Sequence, residues 1–206
     1  MRKADKALYL AKEKGKNRHI IYEERLHGKL ETDDMQNMAM AYAVSKEKKR
    51  EAITEMITEL CISGVNAIVK NEERLQQIRS LFDLDGITVF SDRGSRLVCR
   101  NGNYMAEAPD GRPGFEDEKY LALFGEDGIF VESNMLKLRS QNPAAYAVTQ
   151  EQEIGAALQC LSRKEGIPYA MVNFEVFNRN RKWSDEDITL LTLLGHCIGN
   201  LLNYSE

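Results

Sequence analysis

IGAALQCLSRKEGIPYAMVNFEVFNRNRKWSDEDITLLTLLGHCIGNLLNY, residues 154–204, decides how the rest of this 206-residue chain is read. Ile154, Ala156, Leu158 and Cys160 recur at every second position, which predicts one apolar face of a strand. Gly166 turns the chain back. From Pro168 to Phe177 the set Ala170, Val172, Phe174 and Val176 is uniformly apolar, whereas Tyr169, Met171, Asn173, Glu175 and Phe177 form a mixed set. The short connection makes the two strands antiparallel neighbours, with one face in the core. Ser184 then opens a helix. A serine N-cap with Asp187 three residues on predicts a capping box, and Trp183 and Ile188 occupy the staple positions. Ile188, Leu191, Leu194, Ile198, Leu201 and Leu202 form an apolar stripe that must be buried, with Gly195 and Gly199 on or beside it.

A hydrophobic content of 43% is ample for a packed core. No apolar run approaches the roughly 18 to 20 residues that span a bilayer, and the lysine-rich start lacks a signal-peptide core. These features predict a cytoplasmic protein with no membrane partner. Cys61, Cys99, Cys160 and Cys197 are dispersed without Cys-x-x-Cys spacing, so buried reduced thiols are expected rather than disulfides or a metal site. His19, His27 and His196 are equally scattered and suggest no haem or metal ligand set. Charge is uneven. Residues 1–22 hold seven basic residues against Asp5 and Glu13, a balance of +5 in a chain whose total is −4, which leaves −9 for the rest. The basic end could attract phosphate; the acidic remainder argues against nucleic acid.

Residues 1–14 have helical composition with Gly15 as the stop, and Arg18 to Tyr22 read as a strand. One short helix and one strand cannot build a core, so residues 1–22 read as the end of something larger. Residues 23–44 read as a linker. An amphipathic connecting helix follows over 45–70, with Ile53, Met56, Ile57, Leu60, Gly64, Ala67 and Ile68 at helical spacing. Residues 71–206 then form the main domain. Asn71 caps a helix carrying Leu75, Ile78 and Leu81, and a hairpin joins Gly86–Asp92 to Arg96–Arg100. Residues 101–150 read as an irregular crossing rich in glycine and proline, with a short strand at Ile129–Val131; such segments wall ligand pockets or are plain loops.

Two stretches carry family resemblances. Ala4-Asp5-Lys6-Ala7-Leu8-Tyr9-Leu10-Ala11-Lys12-Glu13-Lys14-Gly15-Lys16-Asn17-Arg18 resembles the closing helix and strand of the GGDEF, or diguanylate cyclase, family. The resemblance implies that Lys12 and Lys16 correspond to contacts with the GTP triphosphate, in a parent enzyme that uses Mg and GTP. Lysine replaces the usual arginine at 16, keeping the charge but losing bidentate geometry. The Gly-Gly-Asp/Glu-Glu-Phe signature and its metal-binding carboxylates are absent from the 206 residues, so this chain is not expected to be an enzyme.

Leu81-Phe82-Asp83-Leu84-Asp85-Gly86-Ile87-Thr88-Val89-Phe90 and Trp183-Ser184-Asp185-Glu186-Asp187-Ile188-Thr189-Leu190-Leu191 are similar to the first-strand approach and the closing motif of GAF domains. That resemblance implies an α+β fold, an antiparallel sheet of about six strands between helices, in a regulatory or sensory module. The cyclic-nucleotide signature Asn-Lys-x-x-x-Phe-Asp-Glu is absent, and neither Cys160 nor Cys197 is followed by the neighbouring histidine of bilin-attaching members.

The expected function is therefore a regulatory or sensory domain of a diguanylate cyclase protein in cyclic di-GMP signalling, binding an unknown small molecule, mediating homodimerisation, or both. A purely structural dimeriser and a part of an active cyclase are the alternatives. Tyr169, Met171, Asn173, Glu175 and Phe177, roofed by residues 101–150, are the candidate pocket. Ile53, Ile57, Leu60, Leu191, Gly195, Ile198 and Leu202 are the candidate dimer surface, since two helical stripes exceed what one sheet is expected to cover.

Overall fold

The structure is a computed structural model; it describes residues 32–64, 72–91, 94–100, 103–105, 117–151 and 153–203, together with residues 7, 21 and 23. The tail resembling a cyclase, with Lys12 and Lys16, lies outside the described residues. So do Ala67, Ile68 and the expected cap Asn71. Two units divide the chain, Met1–Lys48 and Lys49–Glu206, and the second carries the sheet.

Helix α1 spans Thr32–Ser63, so the segment read as a linker is partly helical. It stops earlier than its apolar spacing predicts. Gly64 adopts φ +66 and its N–H closes on the Leu60 carbonyl at 2.8 Å, a left-handed cap open to glycine at little steric cost. Helix α2 spans Glu72–Phe82. The strands are β1 Gly86–Ser91, β2 Gly94–Arg100, β3 Asn103–Met105, β4 Ile129–Glu132, β5 Ile154–Lys164 and β6 Ile167–Phe177. Their order is β3-β2-β1-β6-β5-β4, every pair antiparallel. Of the expected six or so, only β1, β4, β5 and β6 are described with their side chains; β2 and β3 are backbone alone. The interpretable packed sheet thus has four strands rather than about six.

Residues 117–151, expected to be irregular, form short helices around β4. These are α3 Glu118–Leu121, a 3-10 turn at Met135–Lys137, α4 Leu138–Gln141 and α5 Pro143–Glu151. Asp117 and Asn134 cap the first and second by accepting backbone N–H bonds. Polar caps rather than apolar periodicity specify these turns, which is why the pattern looked like loop. The last helix, α6, spans Asp185–Asn203.

The β5–β6 hairpin closes through Glu165 and Gly166, both with positive φ, as a two-residue I′-type turn requires. One sheet face packs on α1, α2 and α6. Ile53, Met56 and Leu60, Leu75, Ile78 and Phe82, and Leu191, Leu194 and Ile198 all meet Ile87, Leu158, Val172 and Phe174 there. Five of the residues expected at a dimer surface, Ile53, Leu60, Leu191, Gly195 and Ile198, are therefore buried in the chain's own core; Ile57 and Leu202 pack on its rim. The glycines serve the same core. A Cβ on Gly195 would lie 2.6 Å from Cys160 Sγ, and one on Gly199 would strike Ser162 Oγ. Both let α6 sit down on β5, not on a partner helix.

The N-cap at Ser184 forms as expected, its Oγ accepting the Asp187 N–H at 3.1 Å. The Asp187 carboxylate takes cations rather than completing a capping box. Oδ1 receives Lys49 Nζ at 2.5 Å and Oδ2 receives Arg181 at 2.9 Å. Burial pushes this carboxyl up, but hydrogen bonds and charge from Lys49 and Arg181 outweigh it and hold the group below its ordinary value. Arg181 also donates to the Phe82 and Asp83 carbonyls and stacks on Trp183 at 4.2 Å, joining the end of α2 to the start of α6.

Candidate functional site

The second sheet face lies under α3, α4 and α5. Tyr120, Phe124, Met135, Leu138 and Ala145 pack there against Ala157, Leu161 and Met171. This is an apolar layer, yet a row of polar side chains crosses the sheet beneath it. Asn173 on β6 pairs directly with Thr88 on β1 and with Gln159 on β5, and Gln159 pairs with Phe130 on β4. Directly paired residues share a face, so the register itself lines up these three polar groups. All are buried: Thr88 is 0% exposed, Asn173 1% and Gln159 3%.

Glu175, two residues along β6 from Asn173, is 0% exposed and accepts from the Thr88 hydroxyl at 3.2 Å. Tyr120 on α3 donates to Gln159 Oε1 at 2.6 Å. Asn142 caps α5, its Oδ1 accepting the Ala145 N–H at 3.0 Å. Two atoms stand apart from this bonding: Asn173 Oδ1 and Asn142 Nδ2 are buried without a hydrogen-bond partner among the described residues. Leaving a buried acceptor or donor unmade costs about 1–3 kcal/mol, so proteins rarely keep one without a use.

The structure brings four of the five candidate pocket residues to this face. Met171 packs in the apolar layer, Asn173 and Glu175 form the polar row, and Phe177 packs at the edge. Asn173 and Glu175 are interior rather than solvent-facing. Tyr169 is a correction. The β5–β6 register shifts between Ser162 and Arg163, and the Tyr169 hydroxyl donates to Asn200 on α6, on the opposite side of the sheet. A single-residue bulge reverses the side to which a side chain points. Ile154 is displaced the same way by the shift beside Gly155 and joins the site-face cluster instead of the α6 core.

Thr88, Gln159, Tyr120 and Asn142 are site residues that alternation alone did not single out. The signal was present for two of them. Thr88 and Gln159 interrupt strands whose neighbours Ile87, Val89, Leu158 and Cys160 are wholly buried, so each faces the other layer. Tyr120 and Asn142 come from short helices and become neighbours only on folding.

No family model and no curated protein matches the sequence. Similar folds exist among solved structures. The far-red absorbing dark state of a protein with bound biliverdin IXa superposes with a TM-score of 0.50 at 16% identity, over 75% of this chain and 98% of that one. The chromophore-binding domain of the Stigmatella aurantiaca bacteriophytochrome gives 0.51 at 14% identity, over 75% of this chain and 60% of that one. At this identity the likeness establishes a GAF-like fold of helices and antiparallel sheet. Among the described residues, no helix is long and apolar enough to cross a membrane.

Proposed function

We propose that residues 49–206 are a small-molecule-sensing regulatory domain of a cytoplasmic signalling protein, with the ligand held against the Thr88–Asn173–Gln159 row. The observation that carries this reading is the Asn173 side-chain oxygen, buried in mid-sheet with no hydrogen-bond partner among the described residues. A fold that keeps such a group gains when a ligand satisfies it. Asn173 Oδ1 and the Glu175 carboxylate accept; Asn142 Nδ2 donates. The ligand is accordingly a compact molecule presenting N–H or O–H donors toward β6 and an acceptor toward α5, with an apolar body against Leu138 and Met171. One of the two similar folds holds biliverdin IXa, which supports the architecture as one that seats a small molecule.

Thermal denaturation against a panel of small metabolites tests this. A ligand at a hundredfold its dissociation constant adds about 2.7 kcal/mol, and Asn173→Leu should abolish that gain. A panel in which every stabilising compound acts equally on the variant would refute the site.

The finer reading adds the output. The stretch Ala4 to Arg18 supports attachment to a diguanylate cyclase domain, whose Mg and GTP chemistry belongs to that domain and not to the carboxylates or thiols of residues 49–206. We place the domain in cyclic di-GMP signalling as a homodimeric, non-catalytic regulator. Since the expected helical stripes are spent in the core, the dimer is formed by surface other than Ile53, Leu60, Leu191, Gly195 and Ile198.

A further inference from the structure

Helix α6 carries no Asp, Glu, Lys or Arg from Ile188 to Asn203, sixteen consecutive residues in a chain of which 29% is charged. The other two long helices turn ordinary charged faces to water, with Glu47, Lys48 and Glu51 exposed on α1 and Glu73 on α2. On α6 the outward side is instead a stripe of Leu190, Leu193, Cys197 and Leu201. At about 100° per residue these four fall within about 80° of one another, with Leu193 directed about 150° away from the line of the core residues Leu191 and Ile198. Leu193 is 55% exposed, and Leu190, Cys197 and Leu201 are half-buried along the margin of the core. The polar groups beside them are already bonded within the chain: the Thr189 hydroxyl donates to the Asp185 carbonyl at 2.8 Å, and Asn200 Oδ1 accepts from the Tyr169 hydroxyl at 3.2 Å. Covering this face therefore strips little water from unsatisfied groups.

We propose that this face is where a second copy of the chain docks, α6 against α6, so that the homodimer inferred above, on which this proposal rests, closes through Leu190, Leu193, Cys197 and Leu201. The occupant follows from the charge. A twofold interface sets residues against or near their own counterparts, so a charged group there meets like charge and is repelled; a face without charge avoids this. A different protein partner is ordinarily selected by complementary charge, and this face offers none to read. A membrane surface would call for Lys or Arg on the polar flank of the stripe, and residues 188–203 hold neither. The acidic start of the helix does not intrude, because Glu186 is bonded to Arg50, and Asp187 to Lys49 and Arg181, within the same chain. Leu193 stands near the midpoint of Asp185–Asn203, so either sense of pairing, parallel or antiparallel, brings it against its counterpart. The exposed apolar stretch from Met40 to Val44 on α1 suits a helix partner less well. Tyr42 there is directed about 160° away from both Met40 and Val44, so one partner helix cannot cover all three.

Light scattering on the full chain at micromolar concentration reads the outcome. Wild type should weigh twice 23.5 kDa. Leu193→Glu and Leu193→Lys each set like charges across the twofold and should weigh 23.5 kDa, with the circular-dichroism spectrum of the wild type. Mixed in equal amounts, the two variants should return to the dimer mass, because opposite charges now meet across the seam. Leu193→Met, which keeps the apolar contact, should stay dimeric. A dimer that survives both charged substitutions, charged monomers that fail to pair on mixing, or a dimer broken by Val44→Glu and not by Leu193→Glu would overturn the α6 seam while leaving the homodimer itself standing. A wild-type chain that stays monomeric, or that gathers only on anionic lipid vesicles, would overturn the homodimer and the seam together.

Discussion

The Thr88 hydroxyl on β1 donates to Glu175 Oε2 on β6 at 3.2 Å, with both residues withdrawn completely from solvent. A buried carboxylate is costly unless hydrogen bonds hold it, so this contact belongs to what makes a polar interior tolerable. Asn173 lies in the same row with the opposite standing, its Oδ1 unsatisfied among the described residues. The two positions should respond to mutation in opposite directions. Thr88→Val, near-isosteric but without the donor, should lower stability by about 1–3 kcal/mol in urea denaturation. Asn173→Leu should raise it by about 1 kcal/mol by removing an orphaned polar group. Loss of stability in the leucine variant would mean that Asn173 already has what it needs.

Gly195 is where α6 meets β5. A methyl group there would collide with Cys160 and press on Phe174 at 3.4 Å. Gly195→Ala should cost about 1–3 kcal/mol by overpacking, despite alanine's better helix propensity. Light scattering at micromolar concentration should report twice 23.5 kDa for wild type and variant alike, because the residue faces inward. A variant that keeps its stability but becomes monomeric would return Gly195 to an interface.

Acid sensitivity follows from Asp187. Its folded pKa lies below the ordinary value of 3.8, so the ionised form is favoured by folding. The stability it contributes is present above that value and is lost as pH falls through the lower, folded one. Asp187→Asn leaves Lys49 and Arg181 without their anion and should cost roughly 3 kcal/mol at neutral pH. As pH falls below the ordinary value of 3.8 and through the lower, folded one, the gap between variant and wild type should narrow. A gap that is constant from neutral pH to pH 2 would show that the carboxylate charge contributes nothing.

Catalytic silence is the expectation for cyclase chemistry. Incubation with GTP and magnesium should yield no cyclic di-GMP above a buffer control, since the sequence lacks the metal-binding carboxylates that phosphoryl transfer needs. Product formation would overturn the regulatory assignment.

What was legible in the sequence was local and periodic. Alternation along Ala156–Cys160 and Ala170–Val176, glycine at the tight turn and serine at the start of α6 all name single-element physics, and each appears where expected. Tyr169 and Ile154 were misplaced because a one-residue register shift reverses every inference from alternation beyond it, and bulges depend on the partner strand. Gly195 falls at the expected dimer surface because a small residue announces a close approach without saying to what. Likewise, the apolar stripe of α1 said that a face is buried, not that the chain's own sheet buries it. The polar row was the hardest to see, since Thr88, Asn173 and Gln159 meet only through the pairing of three strands distant in sequence.

Native mass spectrometry of the chain purified without denaturation tests the central claim most directly, with Asn173→Leu prepared in parallel. The account predicts a non-covalently bound small molecule on the wild-type protein that is missing from the folded, more stable leucine variant. A wild-type chain that carries no small molecule and takes up none from cell extract, or one whose bound molecule persists unchanged in Asn173→Leu, would contradict it.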